Sequence, residues 1–208
     1  MASVESRSTL AAENKIIHRP LTHPEAVRLH RELKATPNIL GYTVRELTKL
    51  SDVFVAEAEG EFAGACFSID LAQGWTEIAA LCVLSDFQGA GLGRRLFLTA
   101  WERTQERQRH VYVLSRNSRV VTWMRELGMT VDEKLWRAPW AVHWYMPRYM
   151  ASRYRFTESV RKRREISACP PLMQGIKKFV GDNKTSRRID GATDWKSEAG
   201  KSPPSKRR

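Results

Sequence analysis

The chain has 208 residues, of which 42% are hydrophobic, and this is enough to bury one core of ordinary size. Its net charge is +12 at pH 7, and ten of those charges arise from Ser152 onward. The three cysteines lack a C-x-x-C spacing, which argues against a disulfide framework or a zinc site and favours a reducing, cytoplasmic setting. No apolar run approaches the roughly 18 residues of a membrane span, so no transmembrane segment is expected.

Two helix starts are marked by polar pairs near the beginning of the chain. Thr22 with Glu25, and Thr43 with Glu46, have the spacing of a capping box. In that motif a hydroxyl and a carboxylate satisfy main-chain amides at the start of a helix. The pairs predict a first helix over about residues 23–34, where apolar residues recur on one face, and a short second helix after Thr43.

Strand-forming segments follow. Val53–Ala58 and Phe62–Ile69 are rich in β-branched and aromatic residues and are separated by Glu59-Gly60, which predicts a β-hairpin. Glu77–Leu84 predicts a long strand of its own. A helix, a strand and a helix are then expected over Leu92–Arg107, His110–Leu114 and Ser118–Leu127, and the last of these ends at Gly128.

The most informative segment is the turn Gln88-Gly89-Ala90-Gly91-Leu92-Gly93, between a predicted strand and a predicted helix. Glycines let the main chain approach a ligand closely, and the first amides of a helix carry partial positive charge. The turn therefore predicts an anion site, although a tight turn without a ligand has the same pattern. Arg94 and Leu96 stand where a dinucleotide fingerprint needs glycine, and no Lys-Ser or Lys-Thr pair of a nucleoside-triphosphate loop follows.

Gln88, Gly91 and Gly93 fit the signature Q/R-x-x-G-x-G/A, and the order of elements from about His18 to Arg148 resembles that of the GNAT superfamily of acyl-CoA-dependent N-acetyltransferases. The resemblance implies an α/β (α+β) fold. Its central sheet would be mixed and mostly antiparallel, would splay at the fourth strand and would carry helices on both faces.

The resemblance also implies acetyl-CoA as co-substrate and no metal. The pantetheine arm would lie along the fourth strand, and the pyrophosphate would lie on the amides of the glycine turn. Asn117 matches an asparagine of the family at the start of its last helix. The implied cofactor-binding residues are Leu81, Cys82, Val83, Gln88, Gly89, Ala90, Gly91, Leu92, Gly93, Arg94 and Asn117.

Glu77 is the candidate general base. An amine with a pKa near ~10.4 is mostly protonated at neutral pH, so a base helps to remove its proton. Glu77 lies eleven positions before Gln88, the spacing of the catalytic glutamate in several GNAT enzymes. The alternative is an ordinary strand glutamate on a solvated face. A main-chain N–H of Val83 or Cys82 is expected to stabilise the developing oxyanion.

One departure from the family concerns the general acid. Many members carry a tyrosine in the last helix that protonates the departing thiolate, but Met124 stands at that position here. The thiol of coenzyme A is acidic enough to leave without much help, and water can serve. Tyr145 has no spacing that supports it as a replacement. The departure keeps open a second hypothesis, a non-catalytic coenzyme A-binding regulatory module.

The segment Leu135–Phe156 is rich in tryptophan and tyrosine and contains His143. In the family this region forms the last strands and lines the acceptor cleft. Its rings are expected either to shape a pocket for an apolar or aromatic amine, or for a cation, or to close the second face of the sheet. His143 lacks the companions of a triad or a metal site.

Three segments are predicted: a flexible N-terminus over residues 1–15, the acetyltransferase domain over 16–156 and a basic, largely disordered extension over 157–208. Arg161-Lys162-Arg163-Arg164 could bind a polyanion weakly, or the extension could simply be solvated.

The predicted function is transfer of an acetyl or short acyl group to a primary amine of a small molecule or a protein. A nucleic-acid-associated protein acting through the tail is a further alternative. The sequence fixes neither the acceptor nor the oligomeric state.

Overall fold

A computed structural model describes residues 14–36, 39 and 41–180. Within these residues seven strands form one sheet in the order β1-β2-β3-β4-β5-β7-β6. Only the pair β4 and β5 is parallel among the described strands. The strands are β1 (Lys15–His18), β2 (Val53–Ala58), β3 (Glu61–Asp70), β4 (Trp75–Val83), β5 (His110–Ser115), β6 (Thr130–Asp132) and β7 (Met173–Lys177).

Helices cover both faces of this sheet, as the sequence predicts. The helices are α1 (His23–Ala35), α2 (Val44–Leu47), α3 (Leu92–Glu106), α4 (Ser118–Glu126), α5 (Trp140–Met150), α6 (Arg153–Arg161) and α7 (Arg163–Ala168). The core under α3 and α4 includes Leu96, Phe97 and Met124, and the core on the α1 and α2 side includes Leu29 and Leu33. In the part of the chain that the structure describes, no helix is long and apolar enough to cross a membrane.

The local signals predicted the first two helices correctly. The main-chain N–H of Thr22 donates to the Glu25 carboxylate at 2.8 Å, and that of Thr43 donates to the Glu46 carboxylate at 2.8 Å. α1 extends to Ala35, one residue beyond the predicted end, because the last turn of a helix frays without a sharp stop signal.

A bulge in β4 decides which face of the sheet Glu77 occupies. Phe67 of β3 pairs with Ala80, but the next residue pairs with Ile78, so Ala79 is an extra residue in β4. In a regular strand Glu77 would share a face with Val83, which packs against the core under α3 and α4. Because the bulge reverses the alternation, Glu77 instead lies on the α1, α2 and α5 side.

The predicted domain boundary at residue 156 lies too early. β7 is part of the segment 157–208, yet it is inserted in the sheet between β5 and β6. Its strand is short and contains Gly175, so the local pattern does not mark it as central. Residues 181–208, where a disordered tail was predicted, lie outside the described residues, as does most of the predicted flexible segment 1–15.

The aromatic segment Leu135–Phe156 is mostly helical and does not form the last strands that the resemblance implied. After a short 3-10 turn over Leu135–Arg137, the chain forms α5 and enters α6. α5 contributes Ala141 and Val142 to a small core with Trp75 and Tyr112 of β4 and β5. The helix thus covers the sheet directly beside Glu77, where the resemblance implied strands.

Candidate functional site

The sheet opens between β4 and β5. Trp75–Ile78 pairs with His110–Val113, and beyond these residues the two strands separate. Ala80–Val83 therefore keeps its β3 partner but has no β5 partner on its other side. A strand with unpaired main-chain groups can accept an extended ligand as an additional strand. This opening confirms the splay that the resemblance implied.

The main chain of Val83, not that of Cys82, faces the opening. The N–H of Leu84 donates to the carbonyl oxygen of Ala63 at 2.9 Å, so it points toward β3. Main-chain groups alternate along a strand, which directs those of Val83 and Leu81 to the opposite side. Consistent with this direction, the carbonyl oxygen of Val83 accepts a hydrogen bond from Gln88 Nε2 at 3.0 Å.

The glycine turn is an open cradle at the start of a long helix. Gly89 and Gly91 have φ angles of 92° and 74°, which L side chains rarely adopt, and Gly91 is the N-cap of α3. A Cβ added at Gly93 would make ordinary contact with Val83 at 3.6 Å, and one added at Gly89 or Gly91 would meet no atom within 4 Å. The turn and the first residues of α3 therefore border open space, as an anion site requires.

A cavity of about 800 Å³ runs from this turn through the opening to Glu77. Its wall includes all the predicted cofactor-binding residues except Ala90, which is exposed. The predicted residues in the wall are Leu81, Cys82, Val83, Gln88, Gly89, Gly91, Leu92, Gly93, Arg94 and Asn117.

Two further cations line the same end of the cavity. Arg116 and Arg119 flank Asn117, whose side-chain oxygen accepts the N–H of Arg119 at 2.9 Å and so caps α4. Arg94 lies 3.4 Å from the Glu126 carboxylate and is largely exposed. Sequence analysis did not identify Arg116 and Arg119, although two arginines beside a helix cap are a signal for an anion site.

Glu77 lies in the wall of the cavity and is only 7% exposed. It pairs with Tyr112 of β5 in the register of the parallel strands. Burial raises the pKa of the Glu77 carboxyl to about 7, because the charged form loses its hydration. A carboxylate with a pKa near the working pH is well suited to accept a proton.

Four tyrosines surround Glu77. Tyr42, Tyr112 and Tyr149 line the cavity, and the ring of Tyr145 lies 5.8 Å from that of Tyr149. Burial is the main cause that raises the pKa of each hydroxyl, and the charge of Glu77 raises it further. Sequence analysis did not identify Tyr42 or Tyr112, whereas Tyr149 belongs to the aromatic segment for which an amine pocket was one of the two expectations. Only the β4–β5 register could have indicated Tyr112.

Arg155 lies behind two of these rings. Its guanidinium is 4.0 Å from the centre of the Tyr149 ring and 4.9 Å from that of Tyr42. It also pairs with the Glu46 carboxylate at 2.9 Å. Arg155 therefore packs against the two tyrosine rings from outside the cavity wall. Its positive charge is compensated by the Glu46 carboxylate.

Met124 belongs to the core and not to the cavity wall. It is fully buried, and its sulfur lies so close to Gly175 of β7 that no Cβ fits there. Cys82 is also buried, and burial raises the pKa of its thiol to about 12. Neither residue can therefore donate or accept a proton readily at neutral pH.

The aromatic segment contributes to the cavity only in part. Trp136 and His143 line its mouth, and His143 Nε2 lies 3.3 Å from the carbonyl oxygen of Trp136. Trp140 and Trp144 are 67% and 60% exposed and do not line the cavity. Among the described residues, His, Cys, Asp and Glu side chains do not gather into a group of three that could hold a metal ion.

The basic cluster after α6 is partly engaged within the fold. Lys162 is wholly buried, and its Nζ donates to the carbonyl oxygens of Leu33, Thr36 and Ile39 at 2.8, 2.5 and 2.9 Å. Arg161 pairs with Glu158 at 2.7 Å. Lys162 is therefore unavailable to a polyanion, and polyanion binding by the remaining basic residues stays a prediction.

The splayed mixed sheet, the glycine turn and the cavity between them define a GNAT-type acyltransferase fold. Residues 49–137 match the family model described as "Acetyltransferase (GNAT) domain". This match agrees with the resemblance that the motif indicated. No curated protein matches the sequence.

Solved structures with the same fold are distant in sequence. N-acetylglutamate synthase from Neisseria gonorrhoeae, complexed with coenzyme A and N-acetyl-glutamate, is 19% identical with a TM-score of 0.56, over 82% of this chain but only 36% of that enzyme. Rv2747 from Mycobacterium tuberculosis, in complex with CoA, is 15% identical with a TM-score of 0.57, over 78% and 99% of the two chains. Ribosomal-protein-S18-alanine N-acetyltransferase from Escherichia coli is 14% identical with a TM-score of 0.51, over 83% and 99%.

Proposed function

We propose that the protein transfers an acetyl or short acyl group from acetyl-CoA to a primary amine, with Glu77 as the general base. The observation that carries the proposal is the cavity itself. It joins the glycine cradle at the start of α3 to a buried carboxylate, through the opening between β4 and β5.

The residues of the opening are suited to hold coenzyme A. The amides of Leu92, Gly93 and Arg94 start α3 and provide donors for a pyrophosphate. The main-chain groups of Leu81 and Val83 face the opening and can pair with the amides of a pantetheine arm. Acetyl-CoA would supply an acyl group already activated as a thioester. The N–H of Val83, rather than that of Cys82, is then the donor placed to stabilise the oxyanion.

Glu77 accepts a proton from the ammonium group of the acceptor. An ammonium group must lose a proton before its nitrogen can attack, and the carboxylate of Glu77 takes that proton directly or through water. The amine nitrogen then forms a bond to the acyl carbon as the carbon–sulfur bond breaks, and it loses its second proton to water. The thiolate leaves and takes a proton from water, since Met124 cannot provide one. Overall one proton is released to solvent for each amide formed.

The test combines binding with a pH profile. Acetyl-CoA at a hundredfold excess over its dissociation constant should stabilise the fold by about 2.7 kcal/mol, which is measured as a rise in melting temperature. Glu77→Gln should lower kcat/KM by about a hundredfold near pH 7.5 and by less near pH 10, where free amine is abundant. Glu102→Gln, on the exposed face of α3, is the matched control. A Glu77→Gln profile that parallels the native one at every pH would remove Glu77 from the mechanism.

A second candidate function is a coenzyme A-binding regulatory module without turnover. It is favoured by the buried methionine at the position where many relatives carry a catalytic tyrosine. Both functions predict stabilisation by acetyl-CoA, so release of free thiol in the presence of amines separates them. Binding without thiol release from any amine at any pH would support the module.

A further inference from the structure

The charges in the cavity are distributed unevenly. Arg94, Arg116 and Arg119 lie at the coenzyme A end, in α3 and around the start of α4. Among the described residues of the wall, the side near Glu77 has no lysine or arginine. That side is formed by aromatic and apolar side chains together with His143, and its members include Ile39, Tyr42, Tyr112, Val142, Met146 and Tyr149.

The nearest buried cation, Arg155, does not change this uneven distribution of charge. Arg155 packs against the rings of Tyr42 and Tyr149 from outside the wall, and its charge is paired with Glu46 at 2.9 Å. If a ligand carboxylate entered beside Glu77, it would meet a like charge and tyrosine rings, with no free guanidinium or ammonium of the described wall to pair with it. Bringing like charges together in a desolvated site costs several kcal/mol.

An ammonium ion is the complementary ligand. A cation is attracted to the faces of aromatic rings within about 6 Å, and the attraction grows when water is excluded. Glu77 adds an opposite charge from the strand beneath the rings. A substrate that enters as an ammonium ion therefore meets an electrostatic match, and it carries its proton directly to the group that must remove it.

We propose, on the basis of the acyl transfer proposed above, that the acceptor is a small primary amine without a carboxylate, an alkylamine or arylalkylamine, held between Glu77 and the rings of Tyr42, Tyr112 and Tyr149. The apolar part of such an amine would pack against Val142 and Met146. A peptide N-terminus fits less well, because its first peptide group would be desolvated against Val142 and Met146, which offer no hydrogen-bond partners.

The first experiment compares acceptors that differ only by a carboxylate. Thiol release from acetyl-CoA is measured with 2-phenylethylamine and with phenylalanine, and with a peptide that has an N-terminal phenylalanine. The value of kcat/KM should be about a hundredfold higher for 2-phenylethylamine than for phenylalanine, because the added carboxylate lies near Glu77. Equal or faster turnover of phenylalanine, or of the peptide, would overturn the acceptor class while leaving acyl transfer intact.

The second experiment does not depend on turnover. Calorimetry on the protein saturated with coenzyme A compares choline with 3,3-dimethylbutan-1-ol, which has the same shape without the charge. Choline should bind at least about tenfold more tightly. Equal binding of the two compounds would contradict the ammonium site, whether or not any amine is acetylated.

Two variants connect this binding to the rings. Tyr149→Phe keeps an aromatic face and the contact with Arg155, so it should retain choline binding within a factor of about three, whereas Tyr149→Leu should weaken it about tenfold. Trp144→Leu is the matched control, since Trp144 is exposed and lies outside the cavity wall. Equal loss in the two Tyr149 variants, or loss in Trp144→Leu, would contradict the assignment.

Discussion

Glu77 of β4 and Tyr112 of β5 are paired directly across the sheet, in the last pair but one before the two strands separate. The pair lies where the sheet is still closed beneath the cavity and shields the carboxyl from water. The same position brings Glu77 next to the opening through which an acyl donor would enter. The Glu77 carboxyl is thus buried and yet lies next to the cavity, because it belongs to the last residue pairs of β4 and β5.

The first prediction concerns the cost of burying Glu77. The pKa of its carboxyl is raised from about 4.5 to about 7 in the folded state, so the folded protein binds the proton more tightly than the unfolded chain. The stability that depends on this proton is present below pH 4.5 and is lost as the pH rises through 7. Glu77→Gln should therefore raise the free energy of unfolding by up to about 3 kcal/mol at pH 8 and have little effect at pH 4.

The measurement is urea unfolding of the native protein and the variant at several pH values between 4 and 8. Glu102→Gln, an exposed carboxyl, serves as the control and should show no such pH dependence. A Glu77→Gln effect that is the same at pH 4 and pH 8 would contradict the raised pKa.

The second prediction distinguishes two glycines of the same turn. Gly91→Ala forces a side chain into a left-handed conformation at φ 74°, so it should cost about 1 kcal/mol of stability and weaken acetyl-CoA binding. Gly93 lies within α3, where alanine is favourable and makes only an ordinary contact with Val83. Gly93→Ala is the control and should be as stable as the native protein or more so.

Thermal unfolding with and without acetyl-CoA measures both effects. If Gly91→Ala were neutral in stability and in acetyl-CoA affinity, the strained turn would not be required for the cradle.

The third prediction concerns Lys162, which joins the end of α6 to the end of α1. Lys162→Met would leave the carbonyl oxygens of Leu33, Thr36 and Ile39 without their buried donor. We expect a loss of about 2 kcal/mol in the free energy of unfolding, measured by denaturant titration. Lys49→Met, at an exposed position, should change it by less than about 0.5 kcal/mol.

Because Thr36 and Ile39 also line the cavity, Lys162→Met should raise KM for the amine more than KM for acetyl-CoA. An unchanged stability would show that water replaces the ammonium group at these carbonyls.

The fourth prediction places the end of the folded domain. Removal of residues 181–208 should leave the melting temperature and acetyl-CoA binding intact, because β7 and its pairing with β5 and β6 remain. Removal of residues 157–208 deletes β7 and should abolish cooperative unfolding, followed by circular dichroism. A folded protein that ends at residue 156 would show that β7 is dispensable.

DNA retention that persists without residues 181–208 would show that these residues are not needed for polyanion binding.

Much of the site could be predicted because its signals are local. The glycine turn and the start of α3 depend on a few consecutive residues. The resemblance that they indicate implied the cofactor-binding residues, most of which line the cavity. The tyrosines around Glu77 gave a weaker signal: Tyr145 and Tyr149 belong to the aromatic segment, but no local pattern placed any tyrosine beside Glu77. Tyr42 and Tyr149 come from distant parts of the chain and meet only because α5 packs beside the segment before α2.

The sequence by itself determined the helix caps, the hairpin, the glycine turn and the order of elements up to α4, because each is stabilised by hydrogen bonds and backbone preferences of neighbouring residues. Only the tertiary structure decided that β7 is inserted between β5 and β6, that the bulge at Ala79 turns Glu77 to the α5 side and that Lys162 is buried. The physical reason is the separation in sequence between the residues that make contact. These features depend on contacts between residues far apart in the chain, whose pairing gains free energy only when the whole sheet is assembled.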